Sequence, residues 1–123
     1  MNAPFAVPQD IELDLPAPLS VNLTRRMNVA ALPKIAAWRQ QAEMLFLLAK
    51  RRIAGRKITG RYEAIITLNE NCRLDADNGV KGLIDFARYC GLVEDDSPKY
   101  LRKLTVKFGD APHGAKLILR PCE

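Results

Sequence analysis

The stretch LDADNGVKGLIDFARYCGLVEDD (74–96) has residue types and spacing suited to chemistry on a phosphate. Asp75 and Asp77 are separated by one residue, where an extended segment is expected to hand over to a helix. Positions i and i+2 of an extended chain point to the same side, so the two carboxylates repel unless a cation lies between them. Hard oxygen ligands suit Mg²⁺, which takes one or two protein carboxylates, several waters and phosphate oxygens. Lys81 and Asp85 follow Asp77 at helical intervals, on one face and about 6 Å apart per step. Such a ladder can be two surface ion pairs of small energy. It can also place the Lys81 ammonium beside a metal, where it would hold a phosphate and offset the charge building on it. Past the helix, GLVEDD returns with Asp95 and Asp96. Neighbours on an extended chain point opposite ways, so one of this pair is expected to face the cation and the other solvent or a turn. A third carboxylate brought back in this way would complete a site for metal-assisted hydrolysis.

These acids sit in a basic chain, with 19 Lys+Arg against 14 Asp+Glu and a net charge of +5. A positive balance favours polyanionic partners. Between Glu43 and Glu63 lie Lys50, Arg51, Arg52, Arg56, Lys57 and Arg61 with no acid among them. The run reads either as cations complementing a helix C-terminus or as a phosphate-binding patch. Cys72, Cys90 and Cys122 are odd in number and form no CxxC pair, which argues against a disulfide framework or zinc site and for a reducing cytoplasm. The start MNAPFAVPQDIELD lacks a basic region followed by an apolar run, so no secretory signal is expected there. MLFLLA (44–49) is too short to span a bilayer, and a soluble cytoplasmic protein with no membrane partner is expected. His113, the only histidine, falls in the loop sequence PHG with no nucleophile motif around it, and neither a phosphate-binding loop nor a dinucleotide fingerprint is present.

The elements that must position these residues follow from periodicity. Ile11, Leu13 and Leu15 alternate with Glu12 and Asp14, predicting a strand over 9–15 with one buried face. PAPLSVNLTRRMN (16–28) reads as a loop. Pro33 suits a first helical turn, Ile35, Trp38, Ala42, Leu45 and Ala49 follow at helical spacing with Trp38 in the core, and Gly55 ends a helix over about 31–54. Tyr62, Ala64, Ile66 and Leu68 predict a strand over 61–69. A second helix is expected to begin at Asp77 as N-cap and to stop near Gly91. Strands at 100–108, with Leu104, Val106 and Phe108 inward, and at 115–120, with Leu117 and Leu119 inward, are expected to be joined by FGDAPHGAK as a hairpin loop. The order β-α-β-α-β-β over a single domain (1–123) predicts an α+β fold, a mixed sheet with two main helices packed against it.

The ordered set Asp75, Asp77, Asn78, Lys81, Asp85, then Asp95 and Asp96 after nine residues, resembles the RusA family of Holliday junction resolvases. PLSVN (18–22) is similar to that family's N-terminal Pro-x-Ser-x-Asn loop, and AWR (37–39) to its aromatic–Arg helix. The resemblance is strong over 73–96 and loose over the rest of the chain. It departs where Leu74 separates Arg73 from the first aspartate, where SPKY follows Asp96, and where Leu23-Thr24-Arg25-Arg26 stands in place of a frequent aromatic. It implies a RusA-like fold and a Mg²⁺-dependent endodeoxyribonuclease, with Mn²⁺ able to substitute, that acts as a homodimer on four-way DNA junctions. Paired nicks in opposed strands would serve recombination and repair, in a type of enzyme common in prophages. Asp75, Asp77 and Asp96 would hold the metal and Lys81 would be the catalytic lysine, with the roles of Asp85 and Asp95 open. Arg73, Arg25, Arg26, Arg51 and Arg52 are candidate DNA contacts. Two other readings are a flap or branched-DNA nuclease of the same fold and a non-catalytic DNA-binding module in which the aspartates are caps and ion pairs.

Overall fold

A computed structural model describes residues 10–19, 32–73 and 79–122. Strand β1 (Ile11–Pro16), helix α1 (Leu32–Ile53), β2 (Tyr62–Asn69), α2 (Val80–Tyr89), β3 (Leu101–Gly109) and β4 (Gly114–Pro121) follow in that order. The class is α+β, with a mixed four-stranded sheet in the order β1-β4-β2-β3 and two helices. β4 is antiparallel to both β1 and β2, whereas β3 runs parallel to β2.

Alternation sets one face of the sheet. Leu13 pairs with Leu117, Leu117 with Ile66 and Ile66 with Val106, giving one apolar rung across all four strands. Ile11, Leu119, Ala64 and Leu104 form a second rung, and Leu15, Ala115, Leu68 and Phe108 a third. The core therefore lies against this face, where Ala42, Ala49 and Ile53 of α1 and Val80, Leu83, Ile84, Phe86 and Ala87 of α2 join it.

Two expectations for the C-terminal strands are corrected. Leu104 and Phe108 share the core-facing side, but each is the outermost residue of its rung, and they are 44% and 48% exposed; Val106 is only partly buried. β3 is an edge strand, and alternation along a chain carries no information about what covers its last rung. FGDAPHGAK is not a hairpin loop either, because β3 and β4 do not pair: β2 lies between them. The connection crosses the C-terminal end of β2, where the Asn69 side-chain amide donates to the carbonyl of buried Ala111 at 3.0 Å.

α1 ends where Ala54 and Gly55 take positive φ angles of 56° and 72°. Its last turn is tied to the start of the sheet by arginines, since Arg52 donates to the Glu12 carbonyl at 2.7 Å and Arg56 to that of Asp10 at 2.9 Å. For α2 the expected N-cap is corrected. The capping position is Gly79, at φ 134° and without a side-chain cap hydrogen bond, and the first helical residue is Val80. A glycine turns the chain into the helix through a backbone angle that an aspartate rarely adopts. Asp77 itself lies outside the described residues. Among the described residues, no helix is long and apolar enough to cross a membrane.

The rungs set a gradient of stability. Leu117→Ala, at the fully buried centre, is expected to cost about 2–5 kcal/mol, whereas Leu104→Ala at the edge should cost less than about 1.5 kcal/mol. Urea denaturation of both variants checks this, and equal losses would contradict the edge position of β3.

Candidate functional site

Segment 92–96 is held in place by the chain leading into β2. Leu92 and Val93 are buried, Ile58 forms a parallel bridge with Val93, and the Ile58 N–H donates to the Leu92 carbonyl at 2.8 Å. The Gly60 N–H donates to Glu94 Oε1 at 3.0 Å, and the Tyr62 hydroxyl donates to the Asp95 carbonyl at 2.9 Å. Tyr62 is fully buried apart from this bond, so desolvation, with the charges of Asp96 and Asp95 behind it, pushes its phenol up to about 12.

α2 faces this segment with its polar stripe. Val80, Leu83, Ile84 and Ala87 fill the buried side, which leaves Lys81, Asp85 and Arg88 on the other at spacings of four and three. Lys81 Nζ lies 3.3 Å from Asp85 Oδ1 and 3.1 Å from Asp96 Oδ2. Arg88 Nη1 lies 2.9 Å from Asp95 Oδ1 and 3.5 Å from Asp96 Oδ1. Hydrogen bonding to Asp96, and then the charge of Asp85, hold the Lys81 ammonium above its ordinary range. The Asp95 carboxyl is held below its ordinary range, first by the Asp96 backbone N–H and next by Arg88. The two aspartates thus do not point opposite ways. The chain bends at Glu94, and beyond it both carboxylates meet Arg88.

A cavity of about 300 Å³, lined by Trp38 and Arg39 of α1 and Gly82 and Phe86 of α2, opens beside Lys81 and Asp85. Trp38 is fixed by an indole N–H bond to the Ala17 carbonyl at 2.9 Å and meets Phe86 edge-on with ring centroids 5.7 Å apart. The Arg39 guanidinium lies 4.3 Å from the Tyr89 ring centroid. A mainly apolar wall therefore stands next to a lysine held between two carboxylates.

Of the residues singled out in the sequence, Lys81, Asp85, Asp95 and Asp96 come together. Arg73 is exposed just beyond the turn after β2, and Arg51 is exposed near the end of α1. Arg52 donates to the Glu12 carbonyl of β1 at 2.7 Å, a contact within the fold. Asp75, Asp77, Arg25 and Arg26 lie outside the described residues. Among the described residues, no group of three or more His, Cys, Asp or Glu side chains could hold a metal ion. Asp96 is the described member of the expected metal set, a partly exposed hard donor whose two oxygens are met by cations, Oδ2 by Lys81 and Oδ1 by Arg88. His113 is exposed in the 112–113 turn, and burial pushes the Cys90 thiol up to about 11, away from nucleophilic use.

Sequence reasoning missed Arg88 and Tyr62. Arg88 was findable, since it continues the stripe of Lys81 and Asp85 by three residues. The partner of the Tyr62 hydroxyl depends on how segment 92–96 docks, and no spacing encodes that. No protein-family model matches the chain, and no curated protein matches it in sequence.

Burial of the Tyr62 phenol sets a pH dependence. Because the folded phenol is raised from its ordinary 10.0 to about 12, the unfolded chain ionises Tyr62 first and stability falls as pH rises across that interval. Tyr62→Phe should lose about 1 kcal/mol near neutrality and lack this component of the alkaline decline. Urea unfolding of both proteins at several pH values checks it; parallel declines would contradict the raised phenol.

Proposed function

We propose that the chain is a Mg²⁺-dependent endodeoxyribonuclease of the RusA resolvase type, acting as a homodimer on four-way DNA junctions. The observation that carries this reading is the convergence on Lys81 of Asp96, fifteen residues away in sequence, and Asp85. Asp75, Asp77 and Asp96 would hold the metal, Mg²⁺ or Mn²⁺, which when bound supplies Lewis acidity and a water of lowered pKa. Residues 74–78, which include Asp75 and Asp77, are joined through Gly79 to the first turn of α2, the turn that carries Lys81.

The remaining roles belong to the chain's own side chains. Lys81 stays protonated and offers its ammonium to a non-bridging oxygen of the scissile phosphate. Its pairs with Asp85 and Asp96 are exposed on the lysine side, and pairs of that kind are worth about 0–1 kcal/mol, so exchanging one carboxylate for a phosphate costs little. Arg88 compensates Asp95 and Asp96, which limits the repulsion between these acids and DNA. The cavity bounded by Trp38 and Phe86 leaves room beside Lys81 for the sugar and base next to that phosphate. Arg73, Arg25 and Arg26 are the proposed backbone contacts that supply salt-dependent affinity.

The expected outcome is Mg²⁺-dependent nicking of a synthetic four-way junction, with a matched linear duplex left intact. Lys81→Met should slow nicking about 10²-fold or more, and Asp77→Asn should abolish it, while junction binding persists in both. Gel-shift and cleavage assays read the two properties separately. Cleavage surviving in Asp77→Asn would remove that residue from the metal set. Equal cutting of the duplex would replace the reading with a less selective nuclease. Binding without cleavage in any metal would favour the non-catalytic module, in which Asp96 serves only its pairs with Lys81 and Arg88.

A further inference from the structure

α1 is apolar on two opposite sides. Ala42, Ala49 and Ile53 face the core, whereas Met44, Leu47 and Leu48 project away from it and are 58%, 61% and 75% exposed. At 3.6 residues per turn, positions 44, 47, 48 and 51 share one outer stripe. Tyr89 of α2, itself 60% exposed, extends the patch, and its hydroxyl lies 3.4 Å from Glu43 Oε2. A contiguous exposed apolar patch bordered by polar residues marks a protein contact, and it offers nothing to a phosphate backbone.

The charges select the occupant. Glu43 is the one acid of α1, one turn before the apolar centre, and Arg51 lies one turn after it. Arg51 makes no ion pair among the described residues. When two copies of α1 cross antiparallel about Leu47, position 47−n faces 47+n, so each Glu43 meets the other chain's Arg51 and the helix dipoles oppose favourably. A parallel crossing would set Arg51 against Arg51 and Glu43 against Glu43. A two-fold contact needs a surface complementary to itself, and this stripe has that property only in the antiparallel sense.

We infer that the outer face of α1 is the interface between two copies of this chain, with Met44, Leu47, Leu48 and Tyr89 at its centre and Glu43 against Arg51 of the partner subunit at either rim. This deepens the homodimer reading proposed above by naming its surface.

Sedimentation equilibrium without DNA tests it. The wild-type chain should be a dimer. Leu48→Arg should raise the dissociation constant about tenfold or more and leave the circular-dichroism spectrum of the folded subunit unchanged, because the side chain touches little within its own subunit. Glu43→Arg and Arg51→Glu should each weaken the dimer, and the two together should restore it. A wild-type monomer at about 50 µM, a dimer insensitive to Leu48→Arg, or a double variant no tighter than the singles would overturn the inference. Junction nicking is read on the same preparations. A dimer through α1 that cuts nothing keeps the interface and loses the nuclease; a nuclease whose assembly ignores these variants does the reverse.

Discussion

Residues 92–96 reach the polar stripe of α2 because hydrogen bonds fasten them to the chain that leads into β2. Ile58 and Tyr62 supply those bonds, and Tyr62 is itself anchored in the sheet beside Ala64 and Ile66. Everything distinctive about the candidate site depends on that tether. Without it Lys81 would keep only its local pair with Asp85, an ordinary i,i+4 contact of small energy. With it, Asp96 comes to Lys81 and Asp95 to Arg88, and a helix face becomes a cluster of two cations and three carboxylates.

The sheet and helices make this placement rigid where rigidity matters. Three apolar rungs run across the strands, and α2 buries one whole side against the core, so Lys81 and Arg88 project from a fixed axis. The charged tips remain largely in solvent, where exchange of partners is inexpensive. That division suits a site whose cations are proposed to meet a nucleic-acid phosphate: firm placement of the backbone, loose engagement of the side chains.

Much of this was legible in the sequence, and the failures share a cause. Ile11, Leu13 and Leu15, like Tyr62, Ala64, Ile66 and Leu68, showed their buried face directly, because both strands lie under cover along their length. Leu104 and Phe108 carry the same pattern and were misread, since position in the sheet, not alternation, decides whether an apolar row is covered. The FGDAPHGAK connection failed for a related reason: β2 intervenes between two strands that are neighbours in the chain. Within the site, Lys81 and Asp85 followed from helical spacing alone. The helix start did not, because Asp77 has a capping side chain but Gly79 has the backbone freedom the turn requires. Asp95 and Asp96 were expected to diverge, and both reach Arg88 beyond a bend at Glu94. Outer-face apolar residues of α1 were visible in MLFLLA, but only the packing shows which of them lie outside the core.

The central claim is that this acidic cluster, in a basic chain, works on branched DNA through a metal. Strand-specific end-labelling of a four-way junction tests it most directly. Incubated with Mg²⁺, the junction should acquire nicks at symmetrically related positions in two opposed strands, and chelation of the metal should abolish both. Nicks confined to one strand, or scattered equally over junction and linear duplex, would contradict the account.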